Sequence, residues 1–228
     1  MMQTLNRQQL LQKIIDVKSK YCITNREIKL LAVSKTRQAD ELLQLYQQGQ
    51  RAFGESYLQE AREKQTLLSN YDIEWHFIGR IQSNKLKIIA PNFDWVQSVD
   101  QKKHLASLAK YRPEHLPPLN ILLQVNFSSE TQKGGVTNID DLIDLCEVTR
   151  QYPNLKLRGL MAIPQKAEEF SQQQQIFAQI ASIYQQLKPR FAFDTLSMGM
   201  SNDYPAAICE GSTMIRVGSL LFGERKYA

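Results

Sequence analysis

The chain has 228 residues, 43% of them hydrophobic and 22% charged, which are the proportions of a globular protein that buries its own core. No apolar run reaches the roughly 18 residues needed to cross a bilayer, and this excludes a membrane-spanning helix. The formal net charge of +5 fits a solvated basic surface or an anion site, and no aromatic-basic cluster marks an RNA-binding module.

The N-terminal residues 1–20 alternate apolar with polar positions, and this pattern predicts an amphipathic helix and not a signal peptide. Three cysteines, Cys22, Cys146 and Cys209, stand far apart without a C-x-x-C pair, as in proteins of a reducing compartment. The three histidines also lack metal-site spacing. We therefore expect a cytoplasmic protein without a structural metal.

Eight short apolar segments follow along the chain, and each has the length of a β-strand. Several are apolar at nearly every position, which is typical of parallel strands covered on both faces. In chain order they are residues 28–34, 51–54, 74–79, 94–99, 120–127, 156–163, 194–198 and 214–217. Longer amphipathic segments between them predict helices at residues 37–48, 55–68, 101–110, 139–151 and 166–187.

Strands that alternate with helices favour a parallel sheet, and eight of them predict an α/β fold, a closed (β/α)8 barrel of the TIM type. The connecting loops are short, and no linker or internal repeat interrupts the sequence. We therefore expect one domain over residues 1–228, with an extra helix before the barrel.

Chemistry in such barrels belongs at the C-terminal ends of the strands. The polar residues that follow or end predicted strands are Lys35, Ser56, His76, Asn126, Ser201 and Arg216. Lys35 comes directly after the first strand, in LLAVSKTR, and burial there would favour the neutral amine that attacks an aldehyde. Taken alone, this segment fits better a strand-ending lysine whose amine reaches solvent.

The segment 196–225 is dense in glycines and small hydroxyl residues. Loops after strands seven and eight of a barrel often bind phosphate together with a short helix, so we predict a phosphate site at Ser201, Gly218 and Ser219. Ser219 would open a helix over residues 219–223. The alternative is that the glycines only make tight turns. Arg216 lies two residues before this site and could reach an aromatic ring over the mouth.

A lysine for an imine, a phosphate site and a partner for a ring nitrogen together fit one cofactor, pyridoxal 5′-phosphate (PLP). The chain also resembles the pyridoxal-phosphate homeostasis protein family, whose fold is like the N-terminal barrel of alanine racemase. The resemblance covers nearly the whole chain. Its motifs are AVSKTR, FGESYLQE, WHFIGRIQSNK, LLQVNFSSETQKGGV, RGLMAIP and the run 196–225.

This resemblance implies roles for individual residues. Lys35 would carry PLP as a covalent aldimine, and Arg216 would be the partner of the pyridine nitrogen. The other implied cofactor-binding positions are the phosphate ligands Ser201, Gly218 and Ser219 and the pocket walls His76 and Met198. Arg37 and Lys133 match family positions that are usually basic and lie near the mouth of the cofactor site. The family usually has FGEN-Y, whereas this chain has Ser56 in place of the asparagine, so the contact made at this position is open.

An arginine beside the ring nitrogen keeps its own protons and leaves that nitrogen unprotonated, which makes the ring a poorer electron sink. Alanine racemase adds a tyrosine base from a second domain, and we expect no second domain after this barrel. Our first hypothesis is therefore a monomeric PLP carrier without catalytic turnover. It would serve PLP (vitamin B6) and amino-acid homeostasis and supply apo PLP-dependent enzymes. The alternatives are a weak amino-acid racemase and, with least support, a nucleic-acid-binding module.

Overall fold

A computed structural model of the protein describes residues 4–23, 25–127 and 134–224. Eight parallel strands form a closed barrel in the order β1 to β8. They are β1 (Lys29–Val33), β2 (Ala52–Glu55), β3 (Glu74–Phe77), β4 (Trp95–Val99), β5 (Leu119–Val125), β6 (Leu155–Ala162), β7 (Thr195–Ser197) and β8 (Met214–Val217). The barrel closes where β1 pairs with β8, in a register that sets Leu31 beside Arg216.

Nine α-helices are present in the part of the chain that the structure describes. They are α1 (Arg7–Lys20), α2 (Ala39–Gln47), α3 (Leu58–Leu67), α4 (Leu86–Asn92), α5 (Lys102–Tyr111), α6 (Ile139–Arg150), α7 (Phe170–Phe191), α8 (Tyr204–Cys209) and α9 (Ser219–Phe222). A helix follows each strand and α1 precedes the barrel. The predicted (β/α)8 barrel of the TIM type, with an extra N-terminal helix, is therefore confirmed.

Helix α1 begins at a capping box, in which the side chains of Asn6 and Gln9 each accept the backbone N–H of the other residue. Its apolar face buries Leu10 and Ile14. The backbone N–H of Leu5 also donates to the carbonyl of Leu220, which ties the start of the chain to α9. The amphipathic pattern of the N-terminal sequence thus corresponds to a helix that packs on the barrel.

Two helices were not predicted, α4 and α8. Each has seven residues or fewer, and each contains a proline, Pro91 in α4 and Pro205 at the start of α8. Over so short a stretch the 3.6-residue period cannot be distinguished from a loop. Both lie in connections for which the sequence predicts no helix.

Buried hydrophobic residues fill the barrel interior and the layer between barrel and helices. Inside the barrel, side chains from alternate strand positions pack together: Leu31, Ala52, Trp95, Leu122, Met161 and Met214. The interior is therefore a packed core and not a pore, so a ligand site has to lie at an end of the barrel. None of the described helices is long and apolar enough to cross a membrane.

Candidate functional site

A cavity of about 1020 Å³ opens at the C-terminal end of the strands. This volume is at the upper end of the range typical of small-molecule sites, about 300–1,000 Å³. The loops after β1, β2, β6, β7 and β8 contribute to its lining. Six of the eight predicted site residues line it: Lys35, Ser56, Ser201, Arg216, Gly218 and Ser219. They lie after β1, after β2, after β7 and at the end of β8, four positions that are distant in sequence and adjacent in the closed barrel.

Lys35 is half-buried and comes two residues after β1 ends. The preceding residue, Ser34, is fully buried and donates its hydroxyl to Glu55 Oε1 at 2.6 Å. The following residue, Thr36, has φ 65°, a left-handed conformation that is unfavourable for a β-branched residue. Its backbone N–H donates to Glu60 Oε1. The chain is thus held on both sides of Lys35, in a turn that needs such support.

The support comes from an ion cluster outside the barrel, formed by the buried residues Lys64 and Glu55 and the partly exposed Glu60. The Lys64 ammonium donates to the carbonyl of Ser34 at 2.7 Å, to Glu55 Oε1 at 2.8 Å and to Glu60 Oε1 at 3.0 Å. Burial raises the pKa of Glu55, although the charge of Lys64 opposes the shift. One ammonium from α3 therefore organises the carboxylates that hold the Lys35 segment.

Arg216 lies on β8 with its side chain inside the barrel and is 4% exposed. Its Nη1 donates to the carbonyl and to the hydroxyl of Ser197, at 2.7 and 2.8 Å, and its Nη2 donates to the carbonyl of Ala162 at 2.7 Å. Burial lowers the pKa of Arg216 to about 10, against the charge of Asp203. The guanidinium is therefore still protonated at neutral pH, and β6 and β7 fix its orientation.

The loops after β7 and β8 approach the mouth through two glycines. Gly199 has φ 93°, and a Cβ there would lie 2.5 Å from the Cβ of Ala207, so only glycine fits this turn. A Cβ on Gly218 would lie 3.1 Å from the carbonyl oxygen of Val33, because the β8 loop passes close to the end of β1. Ser201 and Ser219 lie next along these loops and line the cavity. Helix α9 begins at Ser219, close to the predicted residues 219–223.

His76 and Met198 do not line the cavity. His76 is fully buried within the barrel, where its ring stacks on Trp95 with 5.1 Å between centroids. Met198 is fully buried in the hydrophobic layer between barrel and helices. Neighbouring residues of an extended strand point to opposite faces, and Ser197 takes the inward position beside Met198. The interpretation of both residues as pocket walls needs this correction.

Of the two basic residues implied near the mouth, Arg37 lines the cavity. Its guanidinium donates hydrogen bonds to the carbonyls of Gly223 and Glu224 and lies over the ring of Phe222. Arg37 therefore also stabilises the C-terminal end of α9. Lys133 lies outside the described residues. Sequence reasoning did not identify Asp203, which lines the cavity and accepts the N–H of Met200. The sequence could have indicated Asp203, because it lies two residues after Ser201 in the polar segment SND, directly before α8.

The donor set of the cavity fits PLP in its chemistry. A half-buried lysine is suited to react with an aldehyde, a rigid guanidinium can donate to a ring nitrogen, and two loops with small residues leave room for a phosphate. Burial raises the pKa of Asp203 at the edge of this site. The residues present are therefore compatible with this cofactor.

The chain is similar to known proteins over most of its length. The family model "Alanine racemase, N-terminal domain" matches residues 8–226. The pyridoxal phosphate homeostasis protein of Pasteurella multocida is 47% identical over 206 residues, 88% of either chain. That of Escherichia coli K12 is 44% identical over 206 residues, covering 89% of this chain and 88% of the relative.

Two solved structures extend the comparison. PipY of Synechococcus elongatus, solved with PLP bound, has a TM-score of 0.80 and 33% identity, over 92% of this chain and 100% of PipY. Alanine racemase of Clostridium difficile 630 has a TM-score of 0.66 and 14% identity, over 99% of this chain and 59% of the racemase. The second likeness concerns the fold alone.

Proposed function

The chain belongs to the pyridoxal phosphate homeostasis protein family, and we propose that it binds PLP in the cavity at the mouth of its barrel. In this proposal Lys35 holds the cofactor covalently as a Schiff base, and Arg216 donates to the ring nitrogen. Ser201, Gly218 and Ser219 bind the phosphate, and Ser56 contacts the cofactor at the edge of the cavity. The protein keeps PLP available to apo-enzymes and has no turnover of its own.

The observation that carries the proposal is the convergence of six predicted residues on one cavity. Lys35 and Arg216 reach it with separate buried supports, the ion cluster at Lys64 and the carbonyls of β6 and β7. The similarity to PipY, which is 33% identical and was solved with PLP bound, supports PLP as the ligand. Neither support would be needed for lysine and arginine side chains that merely reach solvent.

When bound, PLP supplies an aldehyde that reacts reversibly with amines. Lys35 provides the amine, and its half-buried position lets an incoming amine or water approach. Arg216, with its pKa lowered only to about 10, keeps its protons at neutral pH and donates a hydrogen bond without transferring a proton. This arrangement favours holding and releasing the cofactor over stabilising a carbanion.

The alternative function, a weak amino-acid racemase, requires a second base near the cofactor. The described tyrosines nearest in sequence to site residues are Tyr57, which is 56% exposed, and Tyr204, which is buried on α8. Neither lines the cavity. These placements support the carrier function.

Absorbance spectroscopy with borohydride reduction tests the covalent site. We expect purified protein loaded with PLP to show a visible band, and reduction followed by peptide mapping to place the adduct on Lys35. The Lys35→Ala variant should lose the adduct while keeping its circular dichroism spectrum. A loaded protein without any adduct, or with an adduct on another lysine, would contradict the assignment.

A transfer assay then separates carrier from enzyme. We expect the loaded protein to reactivate a PLP-dependent apo-enzyme, and we expect no exchange of the α-proton of amino acids in D₂O. Exchange that disappears in Lys35→Ala would favour the racemase instead. Size-exclusion chromatography tests the accompanying proposal that the protein is a monomer.

A further inference from the structure

A continuous chain of buried polar side chains crosses the barrel interior from Arg216 to Glu74. Arg216 Nη1 is 2.8 Å from Ser197 Oγ, which is 2.8 Å from Gln97 Oε1. Gln97 Nε2 is 2.8 Å from His76 Nδ1, and His76 Nε2 is hydrogen-bonded to Glu74 Oε1. The three middle residues are fully buried. We call these five residues the interior chain.

Every hydrogen bond of the interior chain points in the same direction. A guanidinium only donates, so Ser197 Oγ accepts from Arg216 and gives its own hydrogen to Gln97 Oε1. The Gln97 amide then donates through Nε2 to His76 Nδ1. A His76 ring that accepts at Nδ1 and stays neutral carries its hydrogen on Nε2 and donates it to Glu74. A cation at the mouth is thus joined to a carboxylate at the opposite end by four bonds of one polarity.

The charges at both ends favour this direction. Burial opposes ionisation of Glu74, but its hydrogen bonds with His76 and Lys29, the charge of Lys29 and the charge that His76 acquires at low pH outweigh it and lower the pKa of Glu74 to about 2. Burial lowers the pKa of His76 to about 4, against the effect of Glu74, so the ring is neutral at neutral pH. The flat stack on Trp95, at 10°, fixes the plane of the ring. Hydrogen bonds aligned in this way strengthen one another in a medium of low dielectric constant.

We propose that Ser197, Gln97 and His76 are positioning residues that hold the Arg216 guanidinium in the orientation required by PLP. The tautomer of His76 sets the orientation of the Gln97 amide, and the amide oxygen sets the rotation of the Ser197 hydroxyl. That hydroxyl presents its lone pair to Arg216. This inference rests on the proposed function and gives His76 a role that acts through other residues and not as a pocket wall.

A matched pair of serine variants tests the positioning role. Ser197 and Ser98 are both buried strand residues whose hydroxyls are hydrogen-bonded. The Ser197 hydroxyl accepts from Arg216 and donates to Gln97, whereas the Ser98 hydroxyl donates to the carbonyl of Gly79 at 2.6 Å. Only Ser197 belongs to the interior chain. We expect Ser197→Ala to weaken PLP binding about tenfold, as for the loss of a hydrogen bond to a charged group, and to shift the absorbance maximum of bound PLP. Ser98→Ala should leave both unchanged.

A second variant guards against a folding defect in the first. Gln97→Met keeps the length of the side chain but interrupts the interior chain, and we expect a loss of PLP affinity between those of Ser98→Ala and Ser197→Ala. Urea unfolding measures the stability of each variant, because a purely structural role would lower stability without shifting the spectrum of bound PLP. Equal PLP affinity and equal spectra for wild type, Ser197→Ala and Gln97→Met would overturn the inference.

Nitrogen-15 NMR of the protein without PLP tests the direction of the chain by itself. We expect His76 to be neutral at pH 7 with its hydrogen on Nε2, and to lose this strict preference in Gln97→Met. A hydrogen on Nδ1 in the wild type would overturn the inference whatever the outcome with PLP. If the wild type shows the expected tautomer but binds no PLP, the proposed function fails while the geometry of the interior chain stands.

Discussion

Replacing Lys64 by methionine should lower the free energy of unfolding by about 3–5 kcal/mol, because it removes one partner of a buried ion pair. The Lys64 side chain is 5% exposed and that of Glu55 is 0% exposed. Methionine preserves most of the side-chain length, so the loss is mainly the charge and its hydrogen bonds. The buried Glu55 carboxylate would then lose its cationic partner and keep the hydrogen bond from the neutral Ser34 hydroxyl.

The control is an exposed ion pair, Lys102 with Asp144, whose side chains are 59% and 48% exposed. Lys102→Met removes the same kind of charge, but solvent screens it, and we expect a loss of about 0–1 kcal/mol. Urea unfolding at pH 7 compares both variants with the wild type, provided that the denaturant slope stays constant. The double variant Lys64→Met/Glu55→Gln should recover part of the loss, since it removes the stranded charge.

The loss of stability in Lys64→Met should also depend on pH, in a direction that the pKa of Glu55 determines. Burial already raises the pKa of Glu55, and removing Lys64 takes away the largest effect that lowers it. A group whose pKa is higher in the folded state than in the unfolded state contributes stability at low pH and loses it as pH rises through the folded value. The penalty of Lys64→Met should therefore be smaller at pH 5 than at pH 8. Equal losses for Lys64→Met and Lys102→Met at every pH would refute the reasoning.

Two further predictions concern the barrel interior and the β7 loop. The pKa of His76 falls from 6.5 to about 4 on folding, so the free energy of unfolding of the wild type should decrease by up to about 3 kcal/mol between pH 6.5 and 4. In urea unfolding, the free energy of unfolding of His76→Gln should depend less on pH over this range. The reason is that, as pH falls, His76 takes up its proton in the unfolded chain before it does so in the folded protein. Equal pH dependence of stability in the wild type and in the variant would contradict this. Gly199→Ala should cost more stability than Gly211→Ala, because both glycines have positive φ but the nearest contacts of the added Cβ are 2.5 and 3.7 Å. We expect about 1–3 kcal/mol for backbone strain at either site, with an additional overlap at Gly199, and similar losses would contradict the proposed tight turn.

The sequence was sufficient for the barrel because its strands are buried on both faces. Strand β8, for example, is buried at all four positions and was predicted with its observed bounds, Met214–Val217. The same reasoning identified the mouth, since Lys35 and Ser201 follow strands whose ends meet only in a closed barrel. It could not assign α4 or α8, which are too short to show a period.

Which face of a strand a residue occupies was the harder question. Gln97 and Ser98 are adjacent polar residues within a buried strand, and only their alternation separates them. Gln97 points into the barrel and joins the interior chain, whereas Ser98 donates to the carbonyl of Gly79. Met198 was expected in the pocket because of the family resemblance and not because of its position in the strand, although a shift of one position exchanges the two faces. Composition and spacing carry no information on this choice.

The two basic residues of the candidate site, Lys35 and Arg216, are thus supported from different sides of the sheet. The segment of Lys35 is held from outside the barrel by the Lys64 cluster, and Arg216 is held from inside by Ser197 and the residues below it. The two supports, as described, have no residue in common, so a disturbance of one need not displace the other. Under the proposed carrier function this separation has a use, because Lys35 would exchange its covalent partner while the Arg216 guanidinium stays in place.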